Sequence, residues 1–291
     1  MAEGSGVIRV GLCQVYTQEW DVEGNTVRTL GAIREAADQG AHLVITPECV
    51  LHGYGFTTGE LHAETRACAQ RVDGPIIAGF RHLAADSRIH LMLGFCELAE
   101  DERLHNTAAM IRPDGSIAWL YRKVHCRPFE ADWAGSVFTP GDRFYVETVE
   151  YDGHTACVGA MICFDREVVE STRCLRALGA QFIACPLATD TYSLSTLPPQ
   201  ADNEMVTRVR AAENEVYIAV VNHAGRFNGG TFVVGPHGEV LLQMGADAEV
   251  RVVDIPIEQV TAQYHAHPLG WMGWGYRRPE VYRPYLDPNA L

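Results

Sequence analysis

The 291-residue sequence has no Cys-x-x-Cys pair, no His-Glu-x-x-His, no Gly-x-x-x-x-Gly-Lys-Ser/Thr loop and no Gly-x-Ser-x-Gly elbow. Paired-cysteine zinc frameworks, zincins, P-loop phosphate cradles and serine-hydrolase nucleophile turns therefore have no basis in it. It is also poor in basic residues, with 23 Lys plus Arg against 37 Asp plus Glu and a formal charge of −14. That balance repels phosphate backbones and anionic lipid, so neither nucleic acid nor a membrane is an expected partner. No apolar run approaches the ~18 residues of a membrane span. The start, Met1 to Gly6, lacks the basic and apolar regions of a signal peptide, and the expected location is cytoplasmic.

What is present is ample apolar material: 47% of residues are hydrophobic and 21% charged, enough for a sizeable core. The cysteines are odd in number and scattered, at 13, 49, 68, 96, 126, 157, 163, 174 and 185, which does not suit a disulfide scaffold. Most read as small buried hydrophobes, and in a reducing compartment one of them is free to be a nucleophile. No linker or low-complexity segment divides the chain, so a single domain over 1–291 is expected, with about 265–291 as a C-terminal extension. The segment Gly270 to Tyr282, rich in glycine and aromatics, is expected to form no regular helix and to lie across the body or a partner subunit.

Strand and helix signals alternate. Arg9 to Gln14 reads as a strand. Asn25 to Gln39 places Val27, Leu30, Ile33 and Ala37 at helical spacing before Gly40, and His42 to Pro47 is a buried strand ending at Glu48. Later, Thr155 to Ile162 reads as a strand ending at Cys163, followed by a helix marked by Val168, Thr172, Leu175 and Leu178 and by the strand Gln181 to Cys185. A third unit puts Met205, Val209, Ala212 and Val216 on one helical face before the strand Tyr217 to Val221. Hairpin-like stretches turn at Pro113-Asp114-Gly115 and Pro236-His237-Gly238. The pattern predicts an α/β protein with mixed sheets covered by helices, built from two similar halves.

Three reactive residue types stand at the ends of apolar strands, where open α/β sheets place their sites. Burial suits Glu48 to general-base work near neutral pH; a capping or surface glutamate is the alternative. Lys123 carries a cation into a largely apolar strand end, or snorkels to the surface. Cys163, in Gly159-Ala-Met-Ile-Cys-Phe-Asp165, sits at a strand-to-helix junction where backbone amides and the positive helix end favour a thiolate, although most buried cysteines are inert. Lone histidines such as His42 and His223 read as satisfied structural or surface residues rather than metal ligands.

Taken in order, Pro47-Glu48, Tyr121-Arg-Lys123-Val-His and Met161-Ile-Cys163-Phe-Asp165-Arg-Glu167 resemble the nitrilase, or carbon-nitrogen hydrolase, superfamily. Val10-Gly-Leu-Cys-Gln14, Asn106-Thr-Ala-Ala, Thr139-Pro-Gly-Asp142 and Arg210-Ala-Ala-Glu213 support the resemblance, which spans nearly the whole chain. It implies a four-layer α-β-β-α sandwich and pairing as a homodimer or larger homo-oligomer. It further implies Cys163 as nucleophile, Glu48 as general base, Lys123 as a cation beside the developing oxyanion, and no cofactor or metal. A second glutamate matches Glu130, with Asp132 as its rival because residues 134–137 look like an insertion. Tyr54, Trp133, Phe164 and Arg166 are the expected substrate-binding residues. Arg166 and Arg173 are each either a carboxylate clamp or an ordinary ion-pair arginine, the latter reading favoured for Arg173. The implied reaction is cysteine-dependent hydrolysis of a small linear amide or N-carbamoyl compound through a thioester, the Cys-Phe-Asp-Arg-Glu run resembling the amidase side more than true nitrilases. The alternatives are a nitrilase, or an acyl-transferring or non-catalytic member of the same fold.

Overall fold

In a computed structural model, residues 6–54, 61–127, 137–189, 203–227, 229–266, 270 and 274–286 are described. The first half runs β1 (Ile8–Gln14), α1 (Val22–Asp38), β2 (Leu43–Ile45), α2 (Leu61–Cys68), α3 (Pro75–Ser87), β3 (His90–Leu98), β4 (Leu104–Ile111) and β5 (Ile117–Arg122). The second half runs β6 (Val146–Tyr151), β7 (His154–Ala160), α4 (Val169–Ala177), β8 (Phe182–Pro186), α5 (Asn203–Asn214), β9 (Tyr217–Val221), β10 (Phe232–Val234) and β11 (Val240–Gln243). The chain then returns to the first half as β12 (Glu249–Ile255) and ends in α6 (Ile257–Ala266) and α7 (Pro279–Leu286).

The two sheets have six strands each, in the orders β12-β1-β2-β3-β4-β5 and β11-β10-β9-β8-β7-β6. In each, three parallel strands continue into two antiparallel ones, and an antiparallel strand pairs on the outer side of the first. Strand alternation explains the layers. Val10, Leu12, Leu43, Ile45 and Met110 of the first sheet share one buried cluster with Val158, Ala160, Phe182 and Ala184 of the second. Cys13, Val44, Leu91, Leu93 and Phe95 instead join Ile33 and Ala36 of α1 and Ile77, Phe80 and Leu83 of α3. Leu175 of α4 comes so close to β7 that a Cβ on Gly159 would lie 2.9 Å from its Cδ2. The molecule is the expected α-β-β-α sandwich.

Several expectations need correction. Helix α1 buries Asn25, Thr29, Ile33 and Ala36, and Val27 faces solvent. Helix α5 likewise buries Thr207, Ala211 and Asn214 and leaves Met205 and Val209 about half exposed. In both, small and polar residues allow close packing, while Val27 of α1 and Met205 and Val209 of α5 point away from the core. The tail is helical over Pro279–Leu286, with Pro279 at the first position, where a missing N–H costs nothing. Its approach stacks Trp274 under Arg176 of α4 at 4.8 Å. Strands β6 and β12 were not among the elements read from the sequence. Among the described residues, no helix is long and apolar enough to cross a membrane.

Candidate active site

The parallel strands of both sheets end on one side of the sandwich. The Glu48 amide, beyond β2, donates to the Leu187 carbonyl beyond β8 at 3.4 Å. The backbone before Glu48 is pinned by Thr46, whose hydroxyl donates to the Met92 carbonyl at 3.2 Å and accepts from the Gly94 amide at 3.0 Å. Only glycine fits at 94, because a Cβ there would stand 2.2 Å from the Pro47 carbonyl oxygen. The Glu48 carboxylate so positioned is wholly buried, and Lys123, one residue past β5, donates to its Oε1 at 2.9 Å. Asn106 of β4 donates to the same oxygen from Nδ2 at 2.7 Å, and its carbonyl accepts the Lys123 amide at 2.8 Å. Neither residue is the capping or snorkelling surface group that the sequence left open. A desolvated ion pair gains from additional hydrogen bonds, and Asn106 adds one to the oxygen that also takes the lysine.

Cys163 is buried and has a φ of +47°, a left-handed conformation uncommon for a residue with a Cβ. It opens a 3-10 turn, Cys163–Glu167, and α4 begins only at Val169, so the junction offers turn amides rather than the full end of an α-helix. Its Sγ lies 3.8 Å from the Thr189 hydroxyl. Six other thiols, Cys13, Cys68, Cys96, Cys157, Cys174 and Cys185, are pushed up chiefly by burial, Cys157 and Cys185 to about 11. They are poor thiolates.

The remaining predicted residues divide. Glu130, its rival Asp132 and Trp133 lie outside the described residues. Tyr54 is buried at φ +48° with its ring 6.1 Å from Phe227. Phe164 is half-buried beneath the Arg127 guanidinium, 5.3 Å from the ring centroid. Arg166 is 1% exposed; Nη2 donates to Asn203, while Nε and Nη1 are buried without a hydrogen-bond partner among the described residues. Arg173 is an ordinary half-exposed ion-pair arginine, 3.2 Å from Glu213.

Sequence reasoning assigned Asn106 no role, although it stands in a quoted motif, and gave His223 only the structural or surface reading of a lone histidine. The buried His223 ring donates from Nε2 to the Glu48 carbonyl at 2.7 Å and accepts the Thr17 hydroxyl at Nδ1, also at 2.7 Å. Burial lowers it to about 3, so it is a neutral clamp on the backbone of Glu48. His42 is a structural residue too, its Nδ1 accepting the Arg9 amide at 3.1 Å. Among the described residues no group of His, Cys, Asp and Glu could hold a metal ion. A thiol, a carboxylate and an ammonium on one side of the sandwich suit attack on an acyl carbon with proton transfer and oxyanion stabilisation.

Comparison with known proteins agrees with this chemistry. Residues 9–264 match the carbon-nitrogen hydrolase family model. The chain is 30% identical over 249 residues to the omega-amidase NIT2 of Mus musculus, covering 81% of this chain and 84% of that protein. It is 31% identical over 262 residues to an (R)-stereoselective amidase of Pseudomonas sp., covering 88% and 87%. A solved amidase of Nesterenkonia sp. AN1 superposes with TM-score 0.76 at 26% identity, covering 97% of this chain and 98% of that one. That structure is a glutamate-to-glutamine variant showing covalent addition of the acetamide moiety of fluoroacetamide at the active-site cysteine.

Proposed function

The chain belongs to the carbon-nitrogen hydrolase family and is a cysteine-dependent amidase, and we propose that Cys163 is its nucleophile, Glu48 its general base and Lys123 its oxyanion-side cation. The observation that carries this reading is the buried Glu48–Lys123 pair on the same side of the sandwich as a cysteine held at positive φ. Glu48 takes the Cys163 proton as sulfur bonds to the amide carbon. The oxyanion forms between the Lys123 ammonium and the Phe164 amide. Glu48 then returns the proton to the departing nitrogen, the C–N bond breaks, and ammonia leaves a thioester. Water, deprotonated by Glu48, adds to the thioester carbon; the acid is released and Cys163 recovers its proton.

For the substrate, we propose a small linear amide or N-carbamoyl compound bearing a carboxylate, received by Arg166. A buried guanidinium whose Nε and Nη1 have no hydrogen-bond partner among the described residues carries a desolvation cost that a bidentate carboxylate would offset. Tyr54 and Phe164 supply apolar walls. A homodimer is supported by Leu178, Met205 and Val209, each about half exposed, and by α7, which buries none of its residues. The nine free thiols suit a reducing, cytoplasmic setting. We read residues 1–291 as one domain with its tail from about 265.

The test is ammonia release from primary amides, N-carbamoyl amino acids and nitriles. Turnover by the wild type and none by Cys163→Ala is expected. Arg166→Gln should raise KM about 100-fold for carboxylate-bearing substrates and little for neutral amides. Turnover by Cys163→Ala would overturn the roles, and an equal effect of Arg166→Gln on both substrate types would overturn the carboxylate.

A further inference from the structure

We propose that Asp165 is a positioning residue that fixes Lys123 against Cys163, a role that rests on the reading of those two residues given above. Asp165 stands two residues after Cys163 and is completely buried. Its carboxylate accepts four hydrogen bonds, divided between the two reacting segments. On the lysine side, Tyr121 donates its hydroxyl to Oδ2 at 2.6 Å, and His125 donates its backbone amide and Nδ1–H to Oδ1 at 2.8 and 2.9 Å. Tyr121 and His125 stand two residues on either side of Lys123, so the ammonium's stretch of chain is gripped on both flanks. On the cysteine side, the Ile162 amide donates to Oδ2 at 3.0 Å, and the Asp165 amide returns a bond to the Ile162 carbonyl at 3.0 Å. These bonds close the 3-10 turn that holds Cys163 at φ +47°.

One side chain thus joins the end of β5 in the first sheet to the turn after β7 in the second. Burial, and then the adjacent Asp165 charge, push the Tyr121 phenol well above its ordinary range, so it remains a donor. His125 Nδ1 faces an acceptor-only carboxylate oxygen and so carries the proton, with the Ser171 hydroxyl 3.2 Å away as a second neighbour. Replacing Asp165 by Asn would turn an NH₂ toward either the Ile162 or the His125 N–H, since each oxygen already faces a backbone donor. Small displacements of a cation from a developing charge are costly in rate, so the clamp acts on reactivity more than on substrate affinity.

The test uses the full-length protein and iodoacetamide, with alkylation of Cys163 followed by peptide mass spectrometry across pH. Tyr121→Phe keeps the buried ring and removes one donor. It should slow Cys163 alkylation at pH 7 about tenfold, move the alkylation profile to higher pH, and lower kcat with KM within about twofold. Asp165→Asn should slow alkylation about 100-fold. On a Lys123→Met background, Tyr121→Phe should slow alkylation no further, because its effect passes through Lys123. Alkylation of Tyr121→Phe within twofold of wild type at every pH, or an equal slowing in both backgrounds, would overturn the clamp. Turnover by Cys163→Ala would instead overturn the underlying reading, so the two failures are distinguishable.

Discussion

Three residues beyond β2 the first sheet carries Glu48, whereas three beyond β8, at the matching place in the second sheet, stands Thr189. One residue beyond β5 is Lys123, and one beyond β11 is Met244. Three beyond β7 is Cys163, and three beyond β1 is Thr17. The halves repeat one strand pattern and present the same backbone stations, but Glu48, Lys123 and the proposed nucleophile Cys163 correspond to the neutral Thr189, Met244 and Thr17. Two of those counterparts are supports: Thr17 holds the histidine that clamps Glu48, and Thr189 lies beside the Cys163 sulfur. The first half therefore holds its chemistry as a buried ion pair, and the second as a strained backbone. An ion pair is sensitive to loss of either partner. A strained cysteine costs stability while it is present.

The comparison breaks most visibly in activity. Cys163→Ala should lower turnover by at least ~10⁴-fold in an ammonia-release assay while leaving the melting temperature nearly unchanged. In the first half, stability should move as well. Lys123→Met leaves a buried carboxylate without its cation and should cost about 3–5 kcal/mol in urea unfolding, and Glu48→Leu/Lys123→Met should recover most of that without recovering activity.

A third prediction concerns the clamp His223 and a second wholly buried ring, His52, four residues after Glu48. Burial lowers His223 to about 3 and His52 to about 4. Both rings are neutral in the folded chain and take up protons near pH 6.5 when unfolded, so the unfolded state binds more protons below that pH. Stability should fall as pH drops through 6.5, by roughly 2 kcal/mol for each histidine at pH 5, and level off below about pH 3 to 4. Thermal melts from pH 7 to 4 test this. The smallest effect sharpens the contrast: Cys163→Gly should raise stability by about 1 kcal/mol, because glycine takes φ +47° without strain.

Much of this was legible in the sequence because it is local. An apolar run ending in Glu, Lys or Cys needs only strand alternation to be read, and the stations of Glu48, Lys123 and Cys163 follow directly. Helix faces were harder to read. Met205 and Val209 mimic a core stripe, yet Thr207 and Ala211 make the close contact, since packing between α5 and its neighbours rewards small residues. The half-exposed strand Glu249–Ile255 has a weak pattern and is fixed by its pairing with β1 rather than by burial. The functions of Asn106, His223 and Asp165 were illegible for a different reason: each acts by hydrogen bonds to residues at least forty positions away or in the other sheet.

The proposed attack by Cys163, three residues beyond β7, with help from the ion pair in the other sheet is tested most directly by intact-mass and peptide analysis of Glu48→Gln exposed to fluoroacetamide, beside the same variant carrying Cys163→Ala. A single covalent adduct confined to Cys163, and absent when that residue is alanine, is the predicted result. An adduct on another cysteine, or labelling that persists without Cys163, would contradict it.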